Sequence, residues 1–191
     1  MRMGPNEVLI VVDVQNDFAP GGALPVTDGK QIVPIINGLA PHFECLVFSR
    51  DWHPLDHCSF DDDPQFADGS WPQHCVQDTP GAEFIGDIHV PLDALVVSKG
   101  MDSEKEAYSA FDETDLEASL RSRGAEHLFV CGLATDYCVK ATALDAKRLG
   151  FEVTVILDAC RGVDSPAGSV ADTLDAFRAA SITTCHSQDL L

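Results

Sequence analysis

Short runs of consecutive apolar residues recur along this chain, and between most of them the apolar positions return at helical spacing. Residues 8–14 form the first run, mostly β-branched and without polar alternation, which predicts a strand buried on both faces. A helical stretch over 30–40 follows, then a second strand at 45–49. The stretch 51–92 breaks the rhythm. It is rich in Asp, Pro, Gly and His, and a loop that long inside a compact domain is functional or disordered. The alternation then resumes with a strand at 94–98 and a helix opened by Thr114-x-x-Glu117, which has the form of a capping box. A strand at 127–131 leads to a helix from about 136 to 149, stopped by Gly150. The last elements are a strand at 151–157, a helix over 166–180 with Pro166 near its first turn, and a short strand at 182–185.

Six buried strands with helices between most of them predict an α/β fold, a mainly parallel sheet covered on both faces. No linker, repeat or low-complexity tract divides the chain, so residues 1–191 are expected to form one domain carrying the loop region 51–92. In open sheets of this kind ligands sit beyond the carboxyl ends of the strands. Asp13, Asp51, Lys99 and the segment 132–138 all fall at such ends.

Composition sharpens the picture by exclusion. The chain has 191 residues, 45% apolar and 23% charged, which is ordinary for a globular domain. Its 31 acidic against 12 basic residues give a net charge of −19, a surface that repels phosphate backbones and anionic membranes. Neither nucleic acid nor a membrane is therefore an expected partner. The run Val8-Leu9-Ile10-Val11-Val12, closed by Asp13, is too short for a signal or membrane-spanning segment. Seven cysteines with no CxxC pair, four of them in or beside apolar runs, favour a reducing cytoplasm over a disulfide framework. Cys58 and Cys75, in a polar stretch, are the two that oxidation would pair.

Two groups of residues carry candidate chemistry. Cys138 follows the strand-to-helix turn Gly132-Leu133-Ala134-Thr135-Asp136-Tyr137, near a helix N-terminus that favours a thiolate and offers N–H groups to an oxyanion. The plain alternative is a buried helix cysteine. Asp13, after five apolar residues, is expected half-buried with a raised pKa, as a general base or else as a cap on the next turn. Lys99 closes another strand, either solvated or holding two anions together. As a set they follow the logic of an activated nucleophile. In the loop, Asp51 and His53 lie two apart, so an extended segment points both to one side. With His57 and His74 they suit a divalent Zn, Fe or Mn ion with open positions; solvated histidines, or a closed zinc site using Cys58 and Cys75, are the alternatives.

The segments Asp13-Val14-Gln15-Asn16-Asp17-Phe18, Asp51-Trp52-His53-Pro54, His57-Cys58-Ser59-Phe60, Trp71-Pro72-Gln73-His74-Cys75, Ser98-Lys99-Gly100, Tyr108-Ser109-Ala110-Phe111 and Gly132 to Val139 occur in this order over essentially the whole chain. Together they resemble the nicotinamidase branch of the isochorismatase-like hydrolases. The resemblance implies a three-layer α/β/α fold and hydrolysis of nicotinamide to nicotinate and ammonia through a Cys thioester, in NAD salvage. It implies Asp13, Lys99 and Cys138 as catalytic triad and Asp51, His53 and His74 as ligands of one divalent metal, zinc before iron or manganese. His57, only three residues beyond His53, is expected beside those ligands or as an occasional fourth. The backbone N–H groups of Ala134 and Cys138 would form an oxyanion hole, with a cis peptide at Leu133–Ala134. Phe18, Trp71 and Tyr137 would line a flat pocket for a pyridine ring. A related metal-containing amidase acting on another small amide, and a hydrolase whose metal-activated water attacks, are the rival readings. The oligomeric state is left open.

Overall fold

The computed structural model describes residues 2–66 and 68–191. Six strands form one sheet: β1 (Glu7–Val12), β2 (Cys45–Asp51), β3 (Leu95–Lys99), β4 (His127–Leu133), β5 (Glu152–Arg161) and β6 (Thr183–Cys185). Their order is β3-β2-β1-β4-β5-β6 and every pairing is parallel. The sequence pattern anticipated a mainly parallel sheet; the sheet is parallel throughout. Four helices accompany it: α1 (Val33–Leu39), α2 (Leu116–Ser122), α3 (Lys140–Arg148) and α4 (Ser169–Ala179). The chain moves outward from β1 first toward β3 and then toward β6, and the right-handed rule for parallel crossovers assigns α1 to one face and the later helices to the other. β1 is the most deeply buried element, Leu9 to Val12 having no solvent contact, as an unbroken β-branched run requires. The buried apolar side chains form one contiguous core from Met3 to Ile182.

Several expected boundaries shift, each for a local reason. β1 ends at Val12, because Asp13 leaves extended geometry at φ 49°. β2 runs on to Asp51 and β3 to Lys99, and these two residues are register partners. The capping box does not form. Asp115 stands before α2 without capping it, while the Thr114 hydroxyl donates back to the Ala110 carbonyl at 2.6 Å. The helix expected from 136 is preceded by a separate π-turn, Thr135–Val139, before α3 begins. Pro166 lies outside α4, in a cis bond to Ser165.

The long segment after β2 is ordered by the first loop. Gln15 Nε2 donates to the Asp51 and Ala82 carbonyls, both at 2.8 Å, and its Oε1 accepts the Asp51 N–H at 2.8 Å. Asp17 Oδ2 accepts the Cys75 N–H at 2.7 Å, and Asn16 Nδ2 donates to the Pro80 carbonyl at 2.8 Å. Short bridges pair His53 with Val76 and Phe60 with Trp71. Backbone groups that would otherwise need water are thereby satisfied inside the protein.

Candidate active site

β1 and β4 are neighbours at the point where strand order reverses, the place where such sheets open a crevice. Asp13 follows β1 there, and Cys138 sits in the π-turn after β4. The approach is close because of Gly132, at φ +122°, where a Cβ would lie 2.1 Å from the Val12 carbonyl oxygen. The peptide Leu133–Ala134 is cis. The Ala134 carbonyl accepts the N–H groups of Tyr137 and Val139, both at 3.1 Å, which folds the turn that presents Cys138.

Lys99 joins the two sides. Its Nζ lies 3.0 Å from Asp13 Oδ2, bonds to Asp51 Oδ1, donates to the Ala107 carbonyl at 3.0 Å, and reaches Cys138 Sγ at 3.5 Å. The side chain has no solvent contact, so it is not a solvated strand end. Burial alone would lower its pKa; the two carboxylates overcome this and raise it well above the usual lysine range. Asp13 is also wholly buried and caps no turn. Burial raises its pKa, Lys99 opposes, and Ser49 Oγ donates to its Oδ1 at 2.7 Å. Its Oδ2, beside the ammonium, receives no hydrogen bond of good geometry. One oxygen each of Asp13 and Asp51 and the Cys138 sulfur lie within 4.8 Å of one another.

The Cys138 thiol differs from the expectation of a helix-stabilised thiolate. Burial raises its pKa well above the usual thiol range, Lys99 opposes this, and the charges of Asp13 and Asp51 add to it. The helix dipole is a modest term beside desolvation at a fully enclosed sulfur. A sulfur so placed needs a nearby base to act as a nucleophile.

On the other side of Lys99, ligand atoms of Asp51, His53 and His74 lie within 4.8 Å of one another, all three side chains buried. His53 Nδ1 donates to the Gly100 carbonyl at 2.9 Å and His74 Nδ1 to the Pro72 carbonyl at 2.7 Å, which leaves each Nε2 lone pair free. Burial holds His74 down to about 4, so its imidazole is neutral, as a ligand must be. Burial pulls His53 the same way, but the Asp51 carboxylate outweighs it and raises the pKa. A field that favours a proton between these groups favours a metal cation there too. The donor set therefore fits one divalent ion. His57 is spent otherwise: Nε2 donates to the Lys105 carbonyl at 3.0 Å and Nδ1 accepts from Ser59 Oγ at 2.8 Å. Its ring packs on that of His53 at 4.1 Å between centroids, beside the cluster and not in it. Cys58 is exposed and Cys75 buried; both are free thiols and neither joins the cluster.

A cleft opens over both groups, lined by Asp51, His53, His74 and Cys138 at its base. Phe18, Trp71 and Tyr137 line it as well, with Trp71 and Tyr137 edge to face at 4.9 Å and Phe18 against His74 at 5.6 Å. Ala134 is part of the same wall.

Residues 7–184 match the isochorismatase domain. The chain belongs to the isochorismatase family. A curated nicotinamidase of Acinetobacter baylyi is 37% identical, over 100% of this chain and 97% of that protein. The crystal structure of a pyrazinamidase of Pyrococcus horikoshii in complex with zinc is 45% identical, with a TM-score of 0.87 over 95% of this chain and 99% of that one. A structure from L. infantum in complex with nicotinate is 35% identical, with a TM-score of 0.88 over 98% and 96% of the two chains.

Within this isochorismatase-family site, several residues that hold the reactive groups in place carry no signal in the sequence. Gly100 supplies the carbonyl that orients His53, Ala107 the carbonyl that holds Lys99, and Gln15 locks both backbone groups of Asp51. Ser49, two residues before Asp51, was part of an apolar strand with no signal of its own. Leu24, Val26, Glu106, Tyr108 and Val163 complete the cleft wall from distant segments. Asp136 ties Val163 there, accepting the Val163 and Asp164 N–H groups at 2.9 and 2.8 Å.

Proposed function

We propose that the protein is a nicotinamidase that hydrolyses nicotinamide to nicotinate and ammonia, a step of NAD salvage, in a single catalytic domain working in the cytoplasm. The observation that carries this reading is the sharing of one buried ammonium: Lys99 contacts Asp13, Cys138 and Asp51, so nucleophile, base and metal cluster meet at one point. The full-length likeness to nicotinamidases and to a nicotinate complex supports the substrate. The likeness to a zinc complex, with a carboxylate and two neutral-capable imidazoles here, supports zinc on Asp51, His53 and His74. Free thiols at all seven cysteines suit a reducing compartment.

A divalent ion held by Asp51, His53 and His74 would supply a Lewis acid for the pyridine nitrogen. Phe18, Trp71 and Tyr137 hold the ring faces and turn the carboxamide carbon toward Cys138. Asp13 takes the thiol proton as sulfur bonds to that carbon, and the N–H groups of Ala134 and Cys138 receive the oxyanion. Collapse breaks the C–N bond, and the proton on Asp13 goes to the leaving nitrogen, which departs as ammonia. Asp13 then takes a proton from water as its oxygen attacks the thioester; the C–S bond breaks, the sulfur recovers the proton, and nicotinate leaves. Lys99 opposes the burial that raises the Asp13 pKa, and so favours the ionised carboxylate that the proton transfer needs.

Ammonia release from nicotinamide tests the reading, run beside Cys138→Ala and a chelator-stripped sample. Activity in the native protein, none in the Ala variant and recovery of the stripped sample with zinc is the expected result. Turnover by Cys138→Ala would move the attack to a metal-activated water, and silence of the metal-loaded native protein would overturn the substrate.

A further inference from the structure

Beyond the cluster of Asp51, His53 and His74, the cleft is lined by apolar and aromatic groups and Cys138, with one exception, the exposed Glu106. Its Oε1 accepts the N–H of Ala107 at 2.9 Å, which turns the carboxylate back along the segment that forms the wall. Ala107 is itself fixed, since its carbonyl holds Lys99. Among the described residues no cation pairs with Glu106: Lys105 is taken by Asp102 and Glu113, and Lys99 by Asp13 and Asp51. Its charge is felt at Tyr108, another wall residue, and at His57. A carboxylate without a paired cation that lines a cleft of apolar walls projects part of its field inward, reduced by its contact with solvent.

We propose that Glu106 is a specificity-determining residue that sets a charge filter, disfavouring pyridine carboxylates, the anionic product among them, while leaving the neutral carboxamide unaffected. The inference rests on the amide-hydrolase reading above, in which a neutral ligand enters and an anion leaves. Repulsion between two unit charges sharing a partly hydrated cleft is worth about a 3–10-fold change in binding. A neutral amide feels no such term. The filter hastens departure of the product and keeps accumulated product from occupying the site.

The test compares zinc-loaded native protein with Glu106→Gln and Glu106→Lys, titrating nicotinate and nicotinamide by calorimetry, the latter on a Cys138→Ala background so that nothing turns over. The expected result is nicotinate bound about 3–10-fold tighter by the Gln variant and tighter still by the Lys variant, with nicotinamide within about twofold throughout. The difference shrinks from 0.05 to 0.5 M salt, since screening shortens the reach of the charge. If both ligands bind and their ratio is the same in all three proteins, the charge filter is overturned while the substrate reading stands. If neither ligand binds the native protein, both fall together.

Discussion

Gly100→Ala isolates the link between backbone conformation and metal binding. Gly100 has φ +63°, and its carbonyl accepts the Nδ1 proton of His53 at 2.9 Å. A Cβ added there would lie 2.4 Å from Cε1 and 2.6 Å from Nδ1 of that same ring. The ring has nowhere to go: it is 1% exposed, packed on His57 at 4.1 Å, His74 at 5.0 Å and Phe60 at 5.6 Å. Two costs follow. A left-handed non-glycine residue costs about 1–2 kcal/mol, which for a domain of this size lowers Tm by roughly 2–8 °C. Displacing the carbonyl that orients a ligand weakens metal binding by about 10–100-fold. Competition with a chromogenic chelator gives the zinc affinity, thermal melting of metal-free protein gives the strain, and ammonia release at saturating zinc gives the residual rate. Unchanged zinc affinity in a variant whose Tm has fallen as expected would refute the reasoning, because the loop would have absorbed the strain without moving the ligand.

Two further outcomes follow from the buried charges. Ser49→Ala removes the hydrogen bond that favours ionised Asp13, so the Asp13 pKa rises further. A base must be ionised to act, so the rate falls as pH drops through that pKa, and the acid limb of the kcat/KM profile moves to higher pH; an unmoved limb would mean that Asp13 is not the titrating base. Lys99→Met leaves Asp13 and Asp51 buried without their ammonium, a loss of about 3–5 kcal/mol and more than about 6 °C in Tm, with turnover abolished. Calorimetry and ammonia release check both, and a stable, active Lys99→Met variant would show that the carboxylates are neutralised some other way.

How far the sequence reached depended on what kind of signal each residue carries. The unbroken run from Val8 to Val12 announces a strand buried on both faces because no half-exposed strand tolerates it. Asp13, Asp51, Lys99 and Cys138 were legible as polar groups where apolar runs stop. The capping box at Thr114 misled because its hydroxyl, donating back to the Ala110 carbonyl, accepts the Leu116 N–H at 3.4 Å and not that of Glu117. The turn before α3 was hidden as well, since the five residues Thr135–Val139 are too few for the period of apolar positions to separate a π-turn from an α-helix.

What the sequence determined by itself, then, is the succession of buried strands and which reactive side chains stand at their ends, because burial and chain direction are written in local composition. What only the tertiary structure decided is how those ends meet. The parallel register aligns Asp51 with Lys99 across two strands, and a glycine against Val12 brings the Cys138 turn to Asp13. His57 lies outside the cluster of Asp51, His53 and His74, and both its ring nitrogens find other partners, one of them a carbonyl 48 residues away. The state of Cys138 was likewise beyond reach of local reading: a thiol's pKa is set by burial and by nearby charge, and the charges here, Asp13, Asp51 and Lys99, come from three different segments of the chain.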